Sequence, residues 1–142
     1  MSNSIIKVSL KNQLSEVKRL GDAVEHFSAS NGLSAMLKFE INLVLDEIIT
    51  NIISYGYNDN KEHHIDITMT TADDEFKAVI EDDGTPFNPL EQEQRQIKTG
   101  NTIEEVKAGG LGLLLVRNLA DKIEYQRAND KNILTVSKSI EQ

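Results

Sequence analysis

The 142-residue chain has no cysteine, which excludes a disulfide framework and thiolate metal centres. Proline is almost missing as well: its two copies, Pro86 and Pro89, fall together in the one stretch where regular patterning breaks down. No apolar run approaches membrane-spanning length, and residues 1–7 lack an apolar signal core, so a cytoplasmic protein without membrane contact is the expectation. Positive charge is also in short supply. The balance of 15 Lys+Arg against 23 Asp+Glu leaves a net charge of -8, which argues against a general nucleic-acid binder. What is present, 39% hydrophobic and 27% charged residues, describes a soluble globular chain rather than a disordered one, and the length fits a single domain over 1–142.

One stretch organises the rest. Ile41, Val44, Leu45, Ile48 and Ile52 recur at helical spacing and predict a helix with a wide face pressed into a core. Its polar residues are ordered too: Glu40, Glu47, Asn51 and Ser54 step by seven, four and three, which puts Glu47 and Asn51 one turn apart on one side. A carboxamide oxygen suits a hydrated magnesium ion, and a carboxylate beside it suits polarisation of a hydroxyl. Taken alone, the same pair also fits a solvated stripe.

Ile6, Val8 and Leu10 alternate and predict a strand from Ile5 to Leu10. Leu10, Leu14, Val17, Leu20, Val24 and Phe27 repeat at three and four, predicting a first amphipathic helix capped by Asn12 and stopped at Asn31-Gly32. Its outer face carries Lys18 and Arg19, a wetted surface or a partner contact. Ser34 caps the second helix, which runs to Tyr55-Gly56 and is followed by a polar loop over 58–62. His63 and His64 face opposite ways on entering a strand, so they are poor joint metal ligands and are assigned to the surface. Two antiparallel strands, Ile65 to Thr70 and Phe76 to Ile80, flank a short turn. A polar, weakly periodic stretch over about 88–109 reads as a lid or binding loop, or else as a surface loop with a partial helix. Gly109-Gly110-Leu111-Gly112-Leu113 opens a third helix, and Lys122 to Arg127 and Ile133 to Lys138 form a closing hairpin. The expected fold is α+β: a two-layer α/β sandwich with a mixed, mostly antiparallel sheet covered on one face by three helices.

Two further stretches are candidates for chemistry. Glycines before a helix let backbone N–H groups approach an anion at the positive end of the helix dipole, though such a run also serves as a hinge or a packing turn. Asp82 at a strand end, with Gly84 removing bulk beside it, is able to accept a hydrogen bond from an exocyclic amine; equally, it fits a turn aspartate bonding its own backbone.

In order, Glu47-Ile48-Ile49-Thr50-Asn51 with Ile53-Ser54-Tyr55-Gly56-Tyr57, then Asp82-Asp83-Gly84-Thr85-Pro86-Phe87, then Gly109-Gly110-Leu111-Gly112-Leu113-Leu114-Leu115-Val116, resemble the GHKL-type ATP-binding fold shared by gyrase and histidine kinases. The branch most similar is that of the serine kinase anti-sigma factors. The resemblance implies ATP and Mg2+ as cofactors, Asn51 as metal ligand, Glu47 as base on a substrate serine, and Asp82 with Gly84 at adenine. It further implies Lys107, Gly109, Gly110, Gly112 and Leu113 at the phosphates and Thr135 near adenine. The lid arginine of the family has no clean match among Arg95, Lys98 and Lys107. The implied function is an ATP-binding anti-sigma factor that phosphorylates an anti-anti-sigma (STAS-type) partner, also binds a sigma factor, and forms a homodimer. Two alternatives stand beside it: an ATP-dependent protein-binding module without phosphoryl transfer, and a histidine-kinase ATPase domain, which would want a phosphorylatable histidine in a helical hairpin that His26 does not supply.

Overall fold

The computed structural model describes residues 3–88 and 111–140. Along the chain these are β1 (Ser4–Lys11), a 3-10 turn (Leu14–Glu16), α1 (Val17–Ser30), α2 (Ala35–Tyr55), β2 (His64–Ala72), β3 (Glu75–Asp82), α3 (Leu111–Leu119), β4 (Lys122–Ala128) and β5 (Lys131–Ser139). The stretch that the sequence marks as a lid lies outside the described residues, apart from its first position.

The strands form one sheet in the order β1-β2-β3-β5-β4. All four pairings among the described residues are antiparallel, so the sheet is not mixed as expected. The two hairpins turn through Asp73-Asp74 and Asn129-Asp130, each with positive φ at both positions. Short polar side chains tolerate that left-handed geometry, and its twist matches the flanking strands.

Register decides where the core sits. Val8 lies opposite Ile67, Ile67 opposite Ile80, Ile80 opposite Leu134, and Leu134 opposite Tyr125, an apolar row crossing all five strands. This face packs under Leu20, Val24 and Phe27 of α1, under Ile41, Val44, Leu45, Ile48 and Ile49 of α2, and under Val116 of α3. Phe27 meets Phe76 edge to face at 6.1 Å, a geometry that aligns ring edge with ring face. Because side chains alternate, the opposite sheet face takes the polar positions Asp66, Thr68, Lys77 and Glu124.

Ser34 caps α2 as its type predicts, its hydroxyl accepting from the Leu37 N–H at 3.1 Å. Asn12 does not cap α1. Its side chain donates to the Lys61 carbonyl and accepts from the His63 N–H, tying the start of the helical region to the loop after α2. The first turn is instead organised by Glu16, which accepts from the Lys11 N–H at 3.0 Å and from Arg19 at 2.9 Å. Arg19 also donates to the Ser9 carbonyl, so it is engaged within the fold.

Substituting the fully buried Ile67 by alanine removes the middle of the apolar row and leaves a cavity, with an expected loss of about 2–5 kcal/mol in urea unfolding. Thr68→Ala, one residue along on the opposite face, is expected to change stability by no more than about 0.5 kcal/mol in the same measurement.

Candidate functional site

Beyond the apolar row, two residues further along β3, β5 and β4, the inward-facing positions turn polar: Asp82 lies opposite Asn132, and Asn132 opposite Arg127. Asp82 is only 5% exposed. Its Oδ1 accepts from the Gly84 N–H at 2.9 Å and from Asn132 Nδ2 at 3.0 Å. Both bonds fall on Oδ1, and Oδ2 makes none among the described residues. Burial pushes the Asp82 carboxyl above the usual carboxylate range, while the Asn132 and Gly84 donors pull it back. The result is a fixed, desolvated acceptor with one oxygen open.

The turn after β3 is locked to the end of α2. The Gly56 carbonyl accepts from the Thr85 N–H at 2.9 Å and from its hydroxyl at 3.4 Å. A Cβ on Gly84 would stand 2.4 Å from that carbonyl oxygen, so glycine is required here by close approach of two backbones. Arg127 closes the other side, donating to the Gly84 carbonyl at 2.9 Å.

At the opposite end of the sandwich, buried Lys138 donates to Glu40 in the first half of α2 and to the Leu119 carbonyl at the end of α3. These two anchors, with Gly56 at Thr85, fix the helix directions. The C-terminal end of α2 and the N-terminal end of α3 both point toward the Asp82 end of the sheet. Asn51 lies five residues before Gly56, about 7–8 Å along the axis, and half-buried Glu47 lies one turn further back. Gly112 and Leu113 lie in the first turn of α3, whose dipole makes that end favourable to anions.

A second set of contacts holds the same turn from outside. The His63 ring sits between the carboxylates of Asp59, at 2.8–2.9 Å from Nε2, and Asp83, at 3.1–3.2 Å from Nδ1. It also stacks on Tyr57 with centroids 4.4 Å apart. The Asp59 and Asp83 carboxylates raise the His63 ring above its usual value of 6.5. Asp59 is lowered from 3.8 by the Lys61 N–H and by His63. Burial raises the Tyr57 phenol, and the charges of Asp82 and Asp83 add to that.

The geometry therefore directs Asn51, Asp82, Gly84, Gly112 and Leu113 toward one end of the molecule, with Glu47 nearer the middle of α2. Lys107, Gly109 and Gly110 lie outside the described residues. Thr135 is not brought in: it pairs with Val79 and Glu124 on the sheet face turned away from the helices. The β5 residue facing Asp82 is Asn132, and Leu134 and Val136 carry the signal for it, since their inward parity puts Asn132 inward and Thr135 outward. Sequence reasoning also missed His63 as a clamp; it is half-buried between two aspartates, whereas His64 is exposed as expected.

An antiparallel sheet under three helices, with a buried carboxylate, an Asn-bearing helix and a helix N-terminus toward one end, defines a two-layer α+β sandwich. The chain belongs to the family described as "Histidine kinase-like ATPase domain", which matches residues 10–138. It is 27% identical over 114 residues to a serine/threonine-protein kinase, BtrW, of Bordetella bronchiseptica, covering 80% of this chain and 79% of that one. It is also 24% identical over 90 residues to the serine-protein kinase RsbW of Bacillus subtilis, covering 61% of this chain and 56% of that one. To the anti-sigma F factor of the same organism it is 31% identical over 84 residues, covering 59% and 56%. The chain thus spans little more than half of the two Bacillus subtilis relatives. Among solved structures, that of the RsbU and RsbW domains of a Mycobacterium tuberculosis protein superposes with a TM-score of 0.71 at 13% identity, covering 98% of this chain and 33% of that one. Among the described residues, no helix is long and apolar enough to cross a membrane.

Gly84→Ala is expected to cost about 1–3 kcal/mol in urea unfolding, because the backbone oxygen it meets cannot rotate away. The His63 contacts predict a pH dependence. A ring raised in the folded state contributes stability in full below 6.5 and loses it as pH rises through the raised value. The lowered Asp59 contributes above 3.8 and loses that as pH falls through its own value. Thermal melting should therefore fall as pH rises above 6.5, and this decline should flatten in His63→Gln.

Proposed function

We propose that the chain is an ATP-dependent protein serine kinase that also acts as an anti-sigma factor, its phosphoryl acceptor an anti-anti-sigma partner of the STAS type. The observation that carries this reading is the placement of Glu47 and Asn51 one turn apart on α2, with Asn51 toward the end of the sandwich where Asp82 keeps Oδ2 open. The names of the relatives, serine-protein kinase and anti-sigma factor, support the substrate class and the partner.

Asn51 offers a neutral hard oxygen whose side chain makes no hydrogen bond among the described residues, and that donor suits magnesium, which keeps most of its waters and takes few protein ligands. When bound, the metal offsets charge on the phosphate oxygens. The Asp82 Oδ2 accepts from the adenine amine and orients the base. Backbone N–H groups of the glycine run and the first turn of α3 hold the phosphates, where the dipole favours negative charge. Glu47 accepts the proton of the substrate serine hydroxyl as its oxygen attacks the γ-phosphorus; the bond to the β,γ-bridging oxygen breaks, ADP leaves, and the serine carries the phosphoryl group. The protein's contribution is positioning and proton acceptance.

The test is transfer of label from γ-labelled ATP, with magnesium, to a STAS-domain partner. Glu47→Ala is expected to reduce the transfer rate by about 10²–10⁴-fold while ATP binding by calorimetry persists. Asp82→Asn is expected to abolish binding itself. Partner affinity that rises with ATP, with no labelled serine and no effect of Glu47→Ala, would instead identify a binding module without phosphoryl transfer.

A further inference from the structure

The Asn132 side chain makes four hydrogen bonds, one of them to Asp82. Its Nδ2 donates to Asp82 Oδ1 at 3.0 Å and to the Thr85 carbonyl at 2.9 Å. Its Oδ1 accepts from the Phe87 N–H at 3.2 Å and from the Tyr125 hydroxyl at 2.5 Å. Two of these partners are backbone groups with fixed roles: Phe87 N–H only donates and Thr85 C=O only accepts. They determine which way the carboxamide points, so a donor necessarily faces Asp82. Asn132 is 6% exposed, and both of its ends are fully engaged. No other residue type of that size supplies two donors and an acceptor in one plane; an aspartate offers no donor, and a serine or threonine has one hydroxyl.

Two donors on a single oxygen hold the Asp82 rotamer and offset part of the burial that favours its neutral form. In the ionised form Oδ2 is an acceptor and nothing else. Such a group pairs with an amine and meets a carbonyl oxygen as a second acceptor, an arrangement with no hydrogen bond and two unshared lone pairs in apposition.

We propose that Asn132 is a specificity-determining positioning residue, tying Asp82 to β4 and to the chain leaving β3 so that the site accepts a 6-amino purine and rejects a 6-oxo one. This rests on the reading of Asp82 as the base-recognising group. Asn132 acts through Asp82 and has no assigned contact with the nucleotide.

The experiment compares ATP with inosine triphosphate, which differs from it by the 6-oxo group and the N1 proton, by calorimetric titration of the full chain. The parent is expected to favour ATP by about tenfold or more. Asn132→Asp replaces the donor by an acceptor 3.0 Å from Asp82, and two carboxyl groups at that separation share a proton. The Asp82 carboxyl then carries that proton part of the time and is no longer held in one rotamer, so it presents either an acceptor or an O–H to the base, and the ATP preference should fall toward parity through an ATP loss of about 10- to 100-fold. Asn132→Ser keeps a hydroxyl and is expected to fall between the two.

Equal weakening of both nucleotides in Asn132→Asp, with the ratio unchanged, would show a merely structural role and overturn the proposal while leaving Asp82 as the base reader. A parent that binds neither nucleotide, or binds both alike, would overturn the reading of Asp82 and this proposal with it. Should Asn132→Asp fail to fold, Tyr125→Phe on the edge strand releases only the carboxamide oxygen. A smaller drop in the same ratio is expected there, and an unchanged ratio counts against the proposal.

Discussion

The carbonyl of Gly56 sets the geometry of this molecule's polar end. It terminates the 21-residue helix α2 and accepts both the N–H and the hydroxyl of Thr85, the first residue past Gly84. The contact is a backbone-to-backbone approach, and the missing Cβ at Gly84 is its precondition. Because the helix on one side and the strand on the other are both rigid, a single such contact aligns Asn51 with Asp82 across the interior. Loosening it would move a whole helix end rather than one side chain.

Around that contact the fold arranges its polar groups so that each has a structural reason for its position. Asn132 saturates its carboxamide on Asp82, Thr85, Phe87 and Tyr125. Arg127 occupies the Gly84 carbonyl, and His63 bridges Asp59 to Asp83. A buried carboxylate is costly unless its lone pairs are met; here one oxygen is met twice and the other makes no hydrogen bond among the described residues. At the opposite end of the sandwich Lys138 donates to the last carbonyl of α3 and pairs with Glu40.

Serine kinases and an anti-sigma factor are among the relatives. Toward the Asp82 end the chain gathers a buried carboxylate, a carboxamide with a second carboxylate one helical turn from it, and the N-terminus of a helix.

Much of this was legible in the chain. Helical spacing in α2 and alternation in the strands are direct consequences of burying one face, and Ser34, Asp73-Asp74 and Asn129-Asp130 mark ends and turns through their own side-chain chemistry. Local pattern also put Glu47 and Asn51 on one side of a helix, because that depends only on residues four apart. It failed where a side chain's partner is distant in sequence. Asn12 looked like a cap and is held by a loop some fifty residues away; Thr135 looked like an adenine contact and faces the wrong side; Asn132 looked like part of a turn and faces Asp82. Strand pairing brings residues fifty positions apart within hydrogen-bond reach, and no local periodicity encodes which ones meet. The sequence by itself determined the elements and the chemical character of their faces, since these follow from burial and backbone propensity. Tertiary structure alone decided which polar groups satisfy one another and which oxygen is left open, since that depends on register between strands and on how closely two backbones approach.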